Sequence, residues 1–217
     1  MARQQSTAGR DRLMVAALIL GAGSSRRMGT PKLLLPWGRS SIVGHLMRQC
    51  QLLGAAQVAI VIASEAVELR RELDSLKFPR RDRILNLQPE RGMFGSIQRA
   101  ARWRGWNKSL THWLILLGDQ PHLRLATFRQ LIDFAAQHRE KVCQPQRGLL
   151  WRHPVVLPKQ MFRKLRSSNA NTLREFLLGC ERAGFECRDP GLDNDIDTPE
   201  DYQKIRDGIS AGHSSPV

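Results

Sequence analysis

No apolar run in this 217-residue chain approaches the length that crosses a bilayer. The apolar stretch at 13–20 runs straight into a glycine loop. It is too short for the core of a signal peptide and reads as a buried strand. The expected location is therefore the cytoplasm, with no membrane partner. The four cysteines, Cys50, Cys143, Cys180 and Cys187, make no C-x-x-C pair and no Cys/His spacing of a zinc site, which leaves reduced structural thiols. Acidic residues are scarce: 20 Asp and Glu stand against 34 Lys and Arg, a net charge of +14. The positive excess is spread along the chain, at Arg70, Arg71, Arg80, Arg81, Arg83, Arg99, Arg102, Arg104, Arg163, Lys164 and Arg166. A nucleic-acid module gathers such charge in a stripe or tail. The dispersed pattern suits small polyanionic substrates better.

There is no repeat, internal linker or second domain. Residues 1–12 hold almost no apolar side chains, and residues 208–217 are rich in Ser and Gly, so both are expected to be disordered tails around one domain at 13–207. Within it, strand-like and helix-like segments alternate. Strands are expected at 13–20, 57–63, 83–87, 112–117 and 185–187, with two more inside 141–157 around a turn near Gly148. Helices are expected at 41–53, 65–76, 94–103, 123–138, 159–165, 171–178 and 198–206, the last with Thr198 as N-cap and Pro199 in its first turn. This alternation argues for an α/β protein with a mostly parallel sheet between two helical layers. Ligands of such sheets bind beyond the carboxyl ends of the strands. The loops after Leu20, Ala63, Leu87 and Leu117 are thus the places to look for chemistry.

The first of these reads Leu20-Gly21-Ala22-Gly23-Ser24-Ser25-Arg26-Arg27-Met28-Gly29-Thr30-Pro31-Lys32. It is not a Walker loop, because Lys32 does not follow Gly29 directly. It is not a dinucleotide fingerprint either, because Arg26 stands where a small residue must pack helix on strand. What remains is a glycine turn whose backbone approaches phosphate closely, flanked by the cations Arg26, Arg27 and Lys32. The loop after Leu117 carries Gly118-Asp119-Gln120-Pro121. A carboxylate at the end of a buried strand is costly unless a cation meets it. Asp119 thus either meets a cation or caps the helix expected from 123. The densest acidic patch is Asp193-Asn194-Asp195-Ile196-Asp197-Thr198-Pro199-Glu200-Asp201. Glu200 and Asp201 suit the start of a helix, whereas Asp195 and Asp197 have no such explanation.

The glycine loop, continued through Leu33-Leu34-Leu35-Pro36, resembles the L-A-[AG]-G-x-S-x-R-M-G-x-[PD]-K signature of the MobA-like NTP transferases, which include the molybdenum-cofactor guanylyl- and cytidylyltransferases. The similarity runs over about residues 14–206. Pro31 before Lys32 is closer to the cytidylyltransferase branch, and Gly21 replaces its usual Ala. Gly92, Met93 and Ser96 match a G-M-x-x-S-[IL] segment, Asp119 a G-D-x-P motif, and 195–201 a D-[IV]-D-T-P-E-D segment. The resemblance implies a Rossmann-like three-layer α/β/α fold of the nucleotide-diphospho-sugar transferase type. It implies nucleotide contacts from Leu20, Gly21, Ala22, Gly23, Ser24, Arg27, Lys32, Gly92, Met93 and Ser96, with Arg27, Lys32 and Asp119 as catalytic residues. Asp119 and Asp197 would bind Mg²⁺, with Asp195 as the alternative to Asp197. Arg152 and His153 match an acceptor-side G-H-P-V segment in which Arg152 replaces Gly. The family's G-D-x-G-A-R segment is poorly matched by Ser168-Asn169-Ala170-Asn171-Thr172-Leu173, which leaves the acceptor open.

The expected activity is Mg²⁺-dependent transfer of a nucleoside monophosphate, CMP from CTP being favoured, to a phosphorylated acceptor such as molybdopterin, with release of pyrophosphate. A molybdoenzyme or its chaperone is a further partner this implies. Two alternatives stay open: a sugar- or polyol-phosphate nucleotidyltransferase of the same fold, and a non-catalytic protein that binds a cofactor or nucleic acid.

Overall fold

The computed structural model describes residues 12–23 and 28–212, with side chains as far as residue 208. In chain order the elements are β1 (Val15–Gly21), a small hairpin of β2 (Pro36–Trp37) and β3 (Ser40–Ser41), α1 (Ile42–Leu52), β4 (Gln57–Ala63), α2 (Val67–Ser75), β5 (Arg83–Asn86), α3 (Gly92–Arg102), β6 (His112–Leu117), α4 (Leu125–Gln137), β7 (Val142–Arg147), β8 (Leu150–Trp151), β9 (Val155–Pro158), α5 (Lys159–Lys164), α6 (Leu173–Leu178), β10 (Arg182–Glu186) and α7 (Pro199–Gly212).

The main sheet has the order β10-β7-β9-β6-β1-β4-β5, with β8 paired to β7. Strands β5, β4, β1 and β6 are mutually parallel, and β7 pairs parallel with β10. Strand β9 runs against both β6 and β7. The central strands are apolar on both faces because both faces are covered. Val15, Ala17 and Ile19 of β1 join a cluster with Ile42 and Leu46 of α1, Leu73 of α2 and Phe128 and Leu131 of α4. Ala16 and Leu18 join the opposite cluster with Ile97 of α3, Phe162 of α5 and Leu173 of α6. Ile19 and Leu18 are fully buried, each contributing roughly 1.5–3 kcal/mol of transfer free energy.

Three expectations shift in detail. The stretch 141–157 holds three strands rather than two: β7 and β8 turn on Gly148, whose φ is +57°, and β9 then returns along β6. Strand β10 begins earlier than expected, at Arg182, in register with Val142. Helix α7 continues to Gly212, into the segment expected to be a tail. Tyr202 and Ile205 pack on the core and hold the helix there, and no proline interrupts it before its end. Residues 1–11 and 213–217 lie outside the described residues.

The topology fixes where a ligand sits. From β1 the chain moves outward to β4 and β5, then crosses back to place β6 on the other side of β1. The direction of winding thus reverses between β1 and β6, and in sheets of this kind ligands bind outside the carboxyl ends of the strands at such a switch point.

Candidate active site

Leu20 is paired with Leu117, so the turns beginning at Gly21 and Gly118 leave the sheet side by side. Both glycines make room for one side chain. A Cβ on Gly21 would lie 2.7 Å from Leu33 Cδ1 and 3.0 Å from the Val61 carbonyl oxygen. One on Gly118 would lie 2.8 Å from Leu33 Cδ2 and 3.2 Å from the Leu20 carbonyl oxygen. Leu33 is a buried wedge over the switch point, carried by the single 3₁₀ turn Lys32–Leu34 that follows Pro31. The residue before the wedge, Lys32, is thereby set over the strand ends. Gly21 thus has a packing role that its place in a phosphate loop did not suggest.

Lys32 Nζ donates to Asp197 Oδ1 at 2.8 Å and lies 4.0 Å from Asp119 Oδ2. The two aspartates come from separate parts of the chain, the end of β6 and the segment before α7, and the backbone joins them: the Ile196 N–H donates to the Asp119 carbonyl at 2.9 Å. Asp195 is exposed and accepts from Gln120 Nε2 at 2.8 Å. Asp119 Oδ1 is buried with no hydrogen-bond partner among the described residues. Burial and the neighbouring Asp195 push its carboxyl up to about 6, against the pull of Lys32. Asp119 does not cap α4, the alternative role, because the helix starts only at Leu125 and Arg124 occupies the cap position.

The cap of α4 comes from elsewhere. Asp189 accepts from the Arg124 N–H and from Thr127 Oγ1, and its other oxygen accepts from the Gly191 N–H. The sequence reading missed this buried carboxylate. Its one visible signal is the turn tripeptide Asp189-Pro190-Gly191. By tying the acidic segment to α4, Asp189 fixes the approach of Asp195 and Asp197 to β6. His122 Nε2 adds a hydrogen bond to the Gly191 carbonyl. Beyond Asp197, Thr198 and Asp201 bond reciprocally: Asp201 Oδ2 accepts from the Thr198 N–H at 2.9 Å, and the Asp201 N–H donates to Thr198 Oγ1 at 3.2 Å. This is a capping box for α7 and accounts for Asp201, as expected.

The nucleotide residues divide into three groups. Leu20, Gly21, Ala22, Gly23 and Lys32 lie at the carboxyl edge between β1 and β6. Ser24 and Arg27 fall outside the described residues. Gly92 and Met93 open α3 after β5, at the same edge of the sheet, with no side chain capping the helix start. Gly92 has φ +72°, which favours glycine. Ser96, however, is buried: its hydroxyl accepts from Asn86 Nδ2 at 3.1 Å and donates to the Gly92 carbonyl at 3.3 Å. That hydroxyl is spent joining the end of β5 to the first turn of α3.

Arg152 and His153 lie on the other side of Asp119. Because β9 runs antiparallel to β6, with Val155 opposite Ile115, the residues before Val155 sit beside the Gly118–Asp119 turn. His153 is half-buried, its Nδ1 is buried with no partner among the described residues, and desolvation holds its imidazole down to about 4, with Asp195 opposing the shift. Such a ring is a weak base at neutral pH, so positioning suits it better than proton transfer. The divergent segment 168–173 is occupied by structure. Thr172 caps α6, accepting from the Glu175 N–H at 3.0 Å, and Gln98 of α3 donates to the Ser168 carbonyl at 2.7 Å.

Comparison with known proteins adds to this geometry. A family model described as the MobA-like NTP transferase domain matches residues 17–183. The molybdenum cofactor cytidylyltransferase of Escherichia coli (strain K12) is 22% identical over 192 residues, spanning 87% of this chain and 93% of that protein. Among solved structures, the homologue of Mycobacterium tuberculosis Rv0371c from Mycobacterium sp. strain JC1 superposes with a TM-score of 0.69 at 25% identity, covering 92% of this chain and 98% of that one. A nucleotidyl transferase from Methanothermobacter thermautotroptrophicus superposes with a TM-score of 0.73 at 21% identity, covering 92% and 99%. The domain match takes in the glycine loop, Asp119 and the Arg152–His153 corner but stops before Asp197, whose place beside Asp119 is a finding of the structure. The chain belongs to the MobA-like NTP transferase family and is a nucleotidyltransferase.

Proposed function

We propose that this enzyme transfers CMP from CTP, with Mg²⁺, to a phosphorylated acceptor of the molybdopterin type and releases pyrophosphate in the cytoplasm. The observation that carries the reading is Lys32 lodged between Asp119 and Asp197 at the strand switch point. The preference for CTP follows the Pro31-Lys32 pattern and the cytidylyltransferase among the relatives.

The residues fit a divalent cation. Asp119 offers a buried oxygen without a partner among the described residues, and its acidic neighbours Asp195 and Asp197 outnumber Lys32. Among the described residues, no group of three or more His, Cys, Asp or Glu is set to hold a metal by itself. Two carboxylates completed by substrate phosphate oxygens are a Mg²⁺ arrangement. Asp119 and Asp197 would hold the ion, with Asp195, whose charge also bears on Asp119, as the alternative to Asp197. Bound there, it supplies Lewis-acid neutralisation of the α-phosphate oxygens.

The rest of the chemistry belongs to the chain. An acceptor phosphate carries about −1.5 to −2 charge at neutral pH and needs no base to become a nucleophile. Its oxygen forms a bond to the α-phosphorus while the α–β anhydride bond breaks, and the electron pair leaves on pyrophosphate. The obstacle is repulsion between anions: a unit-charge pair at 4 Å is worth about 4 kcal/mol at an effective dielectric near 20. Lys32 and Arg27 offset that repulsion on the β- and γ-phosphates and then on the leaving group. The turns at Gly21–Gly23 and Gly92–Met93 bring backbone N–H groups close to the nucleotide. Arg152 and His153 line the acceptor side.

The direct experiment offers CTP, GTP, ATP and UTP in turn, each with molybdopterin and with simple sugar phosphates, and measures pyrophosphate. Release with CTP and molybdopterin is expected. Release only with a sugar phosphate would replace the acceptor, and no release from folded protein with any pair would refute the reading.

A further inference from the structure

On the acceptor side of the crevice, two guanidinium groups converge on one carboxylate. Arg147 donates to Asp193 Oδ2 from Nε at 2.9 Å and from Nη2 at 2.7 Å, and Arg152 donates to Asp193 Oδ1 from Nη2 at 2.8 Å. Arg147 ends β7 and Arg152 precedes β9. Both lie at the edge of the sheet where Asp119 lies, because β7 runs with β6 and β9 runs against it. Asp193 stands just before Asp195, which Gln120 holds next to Asp119.

Three features mark this cluster as more than a surface ion pair. It is unbalanced, two cations against one anion. It is also accessible: Arg147, Arg152 and Asp193 are 31, 30 and 36% exposed, and ion pairs of that exposure are weak enough to exchange. Finally, Arg152 Nε is buried and has no partner among the described residues, so the Nε/Nη2 side of its fork is half used by Asp193. A phosphate accepts from both nitrogens of such a fork, and it carries more charge than a carboxylate.

We propose that Arg147 and Arg152 form the subsite for the acceptor's phosphate, and that Asp193 is an internal counter-ion occupying the subsite until a phosphate monoester displaces it. The proposal rests on the phosphorylated acceptor of the proposed function and names where that phosphate docks. Arg152 stands where the family pattern has glycine, so the subsite is a property of this chain.

The charge count gives the sign of each test. The wall carries +1; Asp193→Asn makes it +2, and Arg152→Gly makes it neutral. With CTP and molybdopterin, Asp193→Asn is expected to lower the acceptor KM several-fold, and Arg152→Gly to raise it about tenfold. Asp193→Glu should stay near wild type, and the KM for CTP should hold within about twofold throughout. A purely structural Asp193 would instead raise the acceptor KM on loss of its charge.

A site-resolved binding measurement separates this proposal from the identity of the acceptor. The arginine Nε–H resonances of the full chain are followed during titration with inorganic phosphate, Arg152 being assigned by its loss in Arg152→Gly. A saturable shift of Arg152, reached at lower phosphate in Asp193→Asn, is expected. That shift in a protein that turns over no acceptor would retain the subsite and refute the activity. No response at Arg152, or a higher phosphate requirement in Asp193→Asn, would overturn the subsite.

Discussion

Lys32 Nζ reaches Asp197 Oδ1 at 2.8 Å although 165 positions separate the two residues. The lysine is the cation that the buried strand end after β6 was expected to require. At the proposed metal site it would also compete with a divalent ion. Lys32→Ala is therefore expected to bind Mg²⁺ more tightly than wild type in the absence of nucleotide, by several-fold, because a positive charge has gone. The same substitution should reduce turnover by on the order of 10²–10³-fold, since the charge on the leaving pyrophosphate is no longer offset. Isothermal titration with MgCl₂ and a pyrophosphate assay check the two halves. Weaker Mg²⁺ binding in the variant would remove Lys32 from the metal's surroundings.

Asp119→Ala should abolish most turnover, by on the order of 10³-fold, while the protein stays folded. The side chain caps no helix, and its buried Oδ1 has no hydrogen-bond partner among the described residues, so little of the fold depends on it. Circular dichroism and pyrophosphate release, measured on the same preparation, test this. Turnover near the wild-type rate would dismiss Asp119 as a ligand.

The acid response of stability has a definite sign at His153. Burial holds this imidazole down to about 4, from its ordinary value of 6.5. Between those pH values the unfolded chain binds the proton and the folded chain does not. The contribution is thus fully present above pH 6.5 and is lost as pH falls to about 4, by about 2–3 kcal/mol. Asp119, pushed up to about 6, acts oppositely, its stability contribution falling as pH rises from about 4 to 6. Comparing wild type with His153→Gln holds Asp119 constant. Urea midpoints across pH 4–7 should fall less steeply toward acid in the variant, and parallel curves would show that His153 does not titrate as its burial demands.

Ser96→Ala is expected to destabilise the protein by roughly 1–3 kcal/mol, because buried Asn86 Nδ2 loses its acceptor. The effect on catalysis should follow as a raised KM for the nucleotide through displacement of Gly92 and Met93, with kcat less affected. Unchanged stability together with a large loss of kcat would mean instead that the hydroxyl touches the reacting groups.

Much of this was legible in the chain because the signals are local. The apolar runs that became β4 and β6 match the structure residue for residue, and Thr198 and Pro199 open α7 as their chemistry requires. The lone Asp119 announced a partner by its position, and the glycine loop carried a long motif. What was not legible depends on pairing across the sheet. Nothing in the order of residues says that Leu33 needs both Gly21 and Gly118 empty, or that Asp189 caps a helix begun by Leu125. The hydroxyl of Ser96 looked available at a helix start because the side chain that engages it, Asn86, belongs to another element. The Arg147–Asp193–Arg152 cluster joins a hairpin to the acidic segment and has no sequence periodicity at all.

The convergence of Asp119 and Asp197 on one divalent ion is tested most directly by anomalous diffraction from crystals grown with CTP and Mn²⁺. A single strong peak bridged by carboxylate oxygens of both residues, with Lys32 turned toward the phosphates, is the expected result. A peak held by Asp195 or Asp193 with Asp197 still bonded to Lys32, or no peak at the strand ends, would contradict it.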